Sequence, residues 1–274
     1  MTTARDGWDM PISDDRLARL TRDMEAAHRD TLPAMRAAAV DLAEDLRGNL
    51  GGSDDAPRAP GRRRFLVGAG GLAAAMALAA CSSGDKHDSA APTKGAAPSP
   101  SGSSKSQYTG DLKVVALAVA LENQAVGAYQ ATLAAAEAGK LGQVPPAVAT
   151  FVTTAMAQHS DHAKAWNAVL TGAGKPAIHD VPLSNQPATL AALGKARTVT
   201  DVAKLALQLE DQAAQTYLFA TFDVSAAAGV ATAASIAPVE AMHAAILHYV
   251  LGQYPVPDDF LPVDKAADPA LLTV

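Results

Sequence analysis

The chain has 274 residues, a formal net charge of −6 and an aromatic content of only 4%. Proteins that bind nucleic acids need a basic face, and the acidic balance therefore argues against that class of function. The single cysteine excludes an internal disulfide, so the folded part must be stabilised by its hydrophobic core.

Residues 1–60 precede a segment that resembles an export signal. From Asp14 to Asn49 the large apolar residues recur at helical spacing, with an interruption at Pro33. We interpret residues 1–60 as a long cytoplasmic N-terminal region of the signal, or as the product of a misplaced start codon when Met24 or Met35 is the true start. The alternative is a small cytoplasmic helical segment that makes a contact of its own.

Residues 61–81 resemble a twin-arginine signal that ends in a lipobox. Arg62 and Arg63 stand before an uncharged apolar run from Phe65 to Ala80, which is shorter than the roughly 20 residues of a membrane span. The run ends in Leu-Ala-Ala-Cys, and the only cysteine, Cys81, stands where a lipobox is lipidated. The alternative is a small buried cysteine in an apolar segment. The signal interpretation predicts export and a lipid anchor at the outer face of the cytoplasmic membrane.

Residues 82–109 consist mainly of Ser, Gly, Ala, Pro and Lys, with almost no large apolar side chain. Such a composition cannot bury enough surface to order itself, so this segment is expected to be a flexible tether. The membrane, reached through the lipid anchor, is the expected partner, and the sequence does not identify a protein partner.

Residues 110–254 predict an all-α domain, because three- and four-residue apolar spacing recurs and strand signals are nearly absent. A long connection with three prolines and one short helix separates the second long helix from the third, and Pro238 predicts a kink or a new start in the fourth. This order is typical of a four-helix up-down bundle with one long crossover after the second helix. Residues 255–274 are expected to form an irregular tail. The helices are predicted at about 111–138, 145–171, 188–194, 200–222 and 226–252.

One pattern, Leu-Glu-x-Gln-Ala-x-x-x-Tyr, occurs on both the first and the third long helix. It contains Glu122 and Tyr129 in the first copy and Glu210 and Tyr217 in the second. Apolar neighbours on the same helices place both carboxylates on inward faces, where a buried negative charge has to be compensated. Metal ions, which bind deprotonated ligands, are one way to compensate it.

The second and fourth long helices each carry a polar pair at i and i+3, which lie on nearly the same helix face. The pairs are His159 with His162 and Glu240 with His243. Together with the two repeated carboxylates, they predict a site in the bundle centre with six side chains that could bind metal. The alternative is a buried polar network in which Glu and His side chains from facing helices satisfy one another.

This order of residues resembles the ferritin-like superfamily, which has one Glu on the first and third helices and Glu-x-x-His on the second and fourth. The resemblance covers about residues 111–253 and is nearest to exported ferritin-like lipoproteins. It implies that Glu122 and Glu210 are terminal carboxylates and that His162, Glu240 and His243 are further ligands. It also implies one or two transition-metal ions, with iron expected and manganese, zinc or copper as alternatives.

The chain departs from that family at one ligand position, where His159 stands in place of Glu. Only Glu240 remains to bridge two ions, and less negative charge is available to hold them close together. A single ion, a site suited to Zn²⁺ or Cu²⁺, or a degenerate site without metal is therefore favoured over a symmetric iron pair.

Tyr129 and Tyr217 lie seven residues beyond the Glu of their own repeat, roughly 10 Å along the helix. They are too distant for direct ligands of the same site. Core packing is the favoured role, and support of the ligands or electron relay is the alternative. The sequence predicts a membrane-anchored metal-binding protein of the cell envelope, with redox chemistry at the bundle centre as a further expectation. The alternative is a non-enzymatic envelope scaffold with a metal-free polar core.

Overall fold

A computed structural model of the chain describes residues 12–50, 106–255 and 262–274. The twin-arginine motif with Arg62 and Arg63, the apolar run that follows it, and Cys81 lie outside the described residues. Most of the predicted tether, residues 82–105, lies outside them as well.

The predicted all-α class is confirmed, because the described residues form six α-helices, one short 3₁₀ turn and no β-strand. The four long helices and the short one expected after residue 110 are all present, with ends that differ from prediction by two residues or fewer. Pro238 lies inside one continuous helix. The helices are α1 (Asp14–Leu50), α2 (Asp111–Glu137), α3 (Pro146–Gly172), α4 (Gln186–Lys195), α5 (Val199–Asp223) and α6 (Ala227–Val250).

Local chemistry explains where these helices begin and end. α5 begins with a capping box in which the Thr198 hydroxyl accepts a hydrogen bond from the Asp201 backbone N–H, while the Asp201 carboxylate accepts one from the Thr198 N–H. α3 begins at Pro146, whose fixed φ suits a first helical position. Beyond α2 and α3, Gly139 and Gly174 adopt φ of 70° and 72°. This left-handed conformation ends a helix, and residues with a Cβ rarely adopt it.

The long helices pack in a closed order around one core. α2 packs on α3 and α5 packs on α6 as two helical hairpins, and α2 and α5 join the hairpins on one side. On the other side α1 packs along both α3 and α6. Five long helices rather than the expected four therefore surround the centre of the domain.

α1 lies within residues 1–60 and packs against the bundle. One face of α1 is buried against the other helices, and Leu17, Met24 and Leu42 on it are at most 2% exposed. Leu17 lies upstream of both alternative starts, Met24 and Met35, so a chain that began at either would lack this contact. In this structure residues 14–50 belong to the same compact unit as the bundle.

α1 approaches the bundle closely at two glycines. A Cβ at position 172 would lie 2.6 Å from the Cβ of Ala43, and one at position 229 would lie 3.3 Å from a methyl group of Leu42. At the same place the Arg47 Nε donates a 2.6 Å hydrogen bond to the carbonyl of Gly172. The absence of side chains at these two positions lets α1 pack against the ends of α3 and α6.

The connection after α3 and the C-terminal tail cover the outer face of α2 and α5. The Asn123 side chain donates hydrogen bonds to the carbonyls of Ile178 and Asp180, 3.1 Å and 2.9 Å away. In the tail, the backbone N–H of Ala267 donates a 2.8 Å hydrogen bond to Thr216. These segments are irregular in backbone, yet they are held to the helices by specific contacts.

By length and apolar composition, α6 is the one helix among the described residues that could cross a membrane. Most of its strongly apolar window is buried inside the protein. Since it also carries Glu240 and His243 in its buried set, we assign it as the central core helix of the bundle.

The contact between α1 and Gly172 gives a prediction of opposite effects at two glycines. Gly172→Ala forces two methyl groups together and should destabilise the full-length protein by about 1–3 kcal/mol. Gly127→Ala, in a helical position with nothing within 4 Å of the added Cβ, should stabilise it by about 0.5–1 kcal/mol. Urea unfolding of the two variants measures both changes. A stabilising effect of Gly172→Ala would show that α1 does not pack here.

Candidate metal centre

Six polar side chains meet in the middle of the bundle, where all of them are at most 1% exposed. α2 and α5 contribute one carboxylate each, α3 contributes two imidazoles, and α6 contributes a carboxylate and an imidazole. The structure thus brings together the full set expected from the sequence, which is Glu122, His159, His162, Glu210, Glu240 and His243.

The six side chains form two overlapping groups of four, and within each group the ligand atoms lie within 4.8 Å of one another. Glu122 and His162 belong to one group, Glu210 and His243 to the other, and Glu240 and His159 to both. The two shared residues are the ones that stand at the same motif position on α6 and α3. The two groups therefore follow the two-fold pattern of the sequence repeat, except that the shared pair consists of one carboxylate, Glu240, and one imidazole, His159.

His159 lies between the two terminal carboxylates. Its Nδ1 is 2.7 Å from Glu122 Oε2, and its Nε2 is 3.1 Å from Glu210 Oε1. An ionised carboxylate can only accept hydrogen bonds, so both ring nitrogens must carry hydrogen for both bonds to form. In this arrangement His159 is an imidazolium that places a positive charge between Glu122 and Glu210.

His162 is close to carboxylates without completing hydrogen bonds to them. Its Nδ1 lies 2.8 Å from Glu240 Oε1 and 3.5 Å from Glu122 Oε1. The short distance fails the angular requirement of a hydrogen bond, so both nitrogens of His162 and Glu240 Oε1 are buried without a hydrogen-bond partner among the described residues. Buried polar atoms of this kind are costly unless a ligand, an ion or water satisfies them.

His243 uses its two nitrogens on opposite sides. Its Nδ1 faces the centre, 3.1 Å from Glu210 Oε2 and 3.2 Å from Glu240 Oε2. Its Nε2 faces away from the centre, 2.8 Å from the side-chain oxygen of Gln158. Gln158 is 1% exposed and is itself bound through its amide nitrogen to Glu25 of α1, 2.7 Å away.

The two repeat tyrosines bind carboxylates across the bundle rather than within their own repeat. The Tyr129 hydroxyl donates a hydrogen bond to Glu210, and the Tyr217 hydroxyl donates one to Glu122. The Trp166 Nε1–H in turn donates a 3.0 Å hydrogen bond to the Tyr217 hydroxyl. Both rings are buried, as packing requires, and each also fixes the carboxylate of the other repeat.

Mutual compensation governs the ionisation of the buried carboxylates. Burial alone would raise the pKa of Glu122, but His162 and His159 outweigh it and lower the pKa to about 2. Burial likewise would raise the pKa of Glu210, but His159 and His243 hold it well below its ordinary value. Both carboxyl groups are therefore ionised at neutral pH in the metal-free protein.

The same pairs raise the pKa of the histidines. Burial lowers the pKa of His162, but Glu122 and Glu240 outweigh it and raise the pKa to about 9. Against the same opposing effect of burial, neighbouring carboxylates raise the pKa of His159 well above its ordinary value and also raise that of His243. A metal ion that binds these imidazoles has to displace protons.

Three polar residues around the centre were not predicted from the sequence: Glu25, His28 and Gln158. His28 is 3% exposed, and its ring packs edge-on against that of His162 with centroids 5.3 Å apart. Glu25 and His28 form a Glu-x-x-His pair like that on α6, a spacing that could have identified them. Gln158 directly precedes His159 and carries no comparable signal.

The donor set fits a transition-metal ion. Imidazole nitrogens and carboxylate oxygens are ligands that Zn²⁺, Cu²⁺ and iron accept, and each of the two groups offers both kinds. The unpartnered atoms of His162 and Glu240 face each other at 2.8 Å, so one ion could satisfy both residues. The described residues thus contain a buried Glu/His group that could hold a metal.

The metal-free protein should lose stability as the pH rises above neutrality. The raised pKa of His162 contributes stability that is complete below 6.5, the ordinary value, and is lost as the pH rises through about 9. The lowered pKa of Glu122 contributes stability that is complete above 4.5 and is lost as the pH falls through about 2. Urea unfolding of the chelator-treated full-length protein from pH 5 to 9 measures the alkaline side. Constant stability over that interval would contradict the compensated network.

Comparison with known proteins agrees with this site. No curated protein and no solved structure matches the chain. Residues 95–253, which include α2 to α6 and all six side chains of the centre, match the ferritin-like domain family. That match spans more than half of the sequence, and the chain therefore belongs to the ferritin-like domain family.

Proposed function

We propose that this chain is a metal-binding protein of the cell envelope, anchored to the membrane by a lipid on Cys81. The observation that carries the metal-binding part is the convergence of three carboxylates and three imidazoles at a site that is almost completely buried. The export and anchoring part rests on the twin-arginine and lipobox motifs of the sequence.

Two positions for an ion follow from the two groups of ligand atoms. In one, Glu122, His162 and Glu240 would hold the ion, and in the other Glu210, His243 and Glu240 would hold it. Glu240 belongs to both positions: its Oε1 faces the unpartnered His162 Nδ1 in the first, and its Oε2 lies 3.2 Å from His243 Nδ1 in the second.

His159 favours binding of a single ion over a pair. As a cation between Glu122 and Glu210, it already neutralises one charge at the place where both groups overlap. A second divalent ion would lie close both to this cation and to the first ion, with only three carboxylates to balance the four positive charges of the two ions. We therefore propose one transition-metal ion per chain as the principal form.

The residues of this chain orient the ligands and shield the site. Tyr129 and Tyr217 fix the orientation of Glu210 and Glu122, and the surrounding core excludes water from all six side chains. The ferritin-like resemblance implies oxidation of bound metal by O₂ or peroxide as the chemistry that iron would supply here. Redox activity is thus a proposal that depends on the identity of the metal.

A second candidate function is a non-enzymatic envelope scaffold whose polar core is structural. The observation in its favour is the charge balance of the centre without metal, where three histidines with raised pKa values face three carboxylates. Such a network can specify a unique core when its members satisfy one another. The unpartnered atoms of His162 and Glu240 argue for the metal-binding function instead.

Metal binding is tested on the purified full-length protein. After chelation and reloading with Zn²⁺, Cu²⁺, Mn²⁺ or anaerobic Fe²⁺, elemental analysis should find one equivalent of at least one metal. Glu240→Ala should weaken binding at least tenfold because Glu240 belongs to both positions, and His243→Ala should do the same for an ion in the second position. His248→Ala, which changes a histidine outside the centre, is the control and should bind as the wild type does.

Thermal unfolding with and without metal separates the two candidate functions. A metal that binds only the folded protein must raise its melting temperature. If no metal binds more tightly than roughly micromolar and none shifts the melting temperature, the metal-binding proposal fails and the scaffold remains. Glu240→Gln, which keeps the shape of the side chain, covers the case in which the alanine variant does not fold.

Anchoring is tested separately through Cys81. Cys81→Ser should prevent lipidation and either release the protein from membranes or stall its processing, because the lipid is attached to the thiol. Fractionation of expressing cells and the mass of the protein measure both effects. Unchanged membrane association and an unchanged mass would refute the lipoprotein proposal while leaving the metal centre unaffected.

A further inference from the structure

α1 reaches the metal centre at one point of its length. Glu25 and His28, three residues apart on the same helix face, are directed toward α3. Glu25 Oε2 accepts a 2.7 Å hydrogen bond from the amide nitrogen of Gln158, and the His28 ring packs against His162. One turn of α1 thus reaches both ligand groups. It contacts His162 of one group through His28, and it reaches His243 of the other group through Glu25 and Gln158.

The contact with Glu25 determines the orientation of the Gln158 amide. A 180° turn of a Gln amide exchanges the positions of its oxygen and its nitrogen, and only the hydrogen-bond partners decide which orientation is present. An ionised carboxylate accepts hydrogen bonds and cannot donate them, so the NH₂ group of Gln158 must face Glu25. The oxygen of the same amide must then face His243 Nε2, 2.8 Å away.

The orientation of Gln158 in turn determines which nitrogen of His243 carries hydrogen. An amide oxygen accepts hydrogen bonds only, so the 2.8 Å contact requires a hydrogen on Nε2. In the neutral form of the ring the lone pair is then on Nδ1, the atom that faces Glu210 and Glu240. A neutral imidazole with its free nitrogen toward the carboxylates is the form that binds a metal.

We propose that Glu25 of α1 is a positioning residue of the metal centre, acting through Gln158 to present His243 Nδ1 to the ion. This inference rests on the metal-binding function proposed above. Arg29 Nε donates a 2.6 Å hydrogen bond to the other oxygen of Glu25, which orients the carboxylate toward Gln158. α1 thereby becomes part of the centre, although it contributes no ligand to either of the two groups.

Two substitutions of Glu25 test the relay in the full-length protein. Glu25→Gln leaves Gln158 free to turn, because the new amide can donate as well as accept. Glu25→Lys can only donate, so it favours a Gln158 oxygen that faces α1 and an amide nitrogen that faces His243. Titration with Co²⁺ should show affinity reduced about tenfold for Glu25→Lys and by a smaller factor for Glu25→Gln.

A second measurement reports the tautomer directly. In ¹⁵N-histidine NMR of the Zn²⁺-loaded wild type, His243 should show a metal-bound Nδ1 and a protonated Nε2. Glu25→Lys should reduce or remove this signature. Glu44→Gln and Glu44→Lys make the same charge changes at an exposed position of α1 and should leave both measurements at wild-type values.

The outcomes separate this inference from the function on which it rests. If the wild type binds none of Co²⁺, Zn²⁺, Cu²⁺, Mn²⁺ and Fe²⁺, the metal-binding proposal fails. If the wild type binds Co²⁺ and Zn²⁺ and the Glu25 variants match the Glu44 controls in affinity and in NMR, the positioning role is refuted and the metal centre stands. Thermal unfolding of each metal-free variant identifies any that is not folded, and Glu25→Gln, the milder change, then decides the question.

Discussion

The burial of three carboxylates in the centre of an otherwise apolar bundle is the constraint on which the rest of the structure depends. An isolated charge in such a place is too costly to keep, and the site resolves this cost by placing imidazoles beside all three carboxylates and tyrosine hydroxyls on two of them, Glu122 and Glu210. The charge balance of the metal-free centre and its affinity for metal have the same origin, because protons and metal ions compete for the same nitrogen atoms.

The two-fold pattern of the helical hairpins extends to the support of the carboxylates. Tyr129 binds Glu210 and Tyr217 binds Glu122, so each repeat orients the carboxylate of the other. The pattern stops at His159, which takes a position equivalent to that of Glu240 and lies between the two terminal carboxylates. A symmetric scaffold therefore holds an asymmetric centre, and that asymmetry is the physical reason to favour one ion over two.

Much of the fold and the site followed from the sequence because helical periodicity and i, i+3 spacing are local properties. The helices after residue 110 and the six central side chains could be predicted in this way. The reciprocal contacts of Tyr129 and Tyr217 could not, because spacing measures distance along one helix and these contacts cross between helices. The place of α1 could not be predicted either, since its amphipathic pattern indicates a buried face without identifying what covers it, and a signal-like segment separates it from the bundle.

The place of α1 connects the metal centre to the proposed export of the protein. Cleavage before Cys81 would break the chain between α1 and the bundle, so α1 would then be held only by its non-covalent contacts. Those contacts include fully buried Leu17 and Leu42, the Arg47 hydrogen bond and the relay from Glu25 to His243. A buried Leu side chain contributes about 1.5–3 kcal/mol, and several together make retention of a 37-residue helix physically reasonable. A processed protein that retained α1 would keep Nδ1 of His243 directed at the ion, whereas one that lost α1 would uncover His162 and leave the Gln158 amide free to turn.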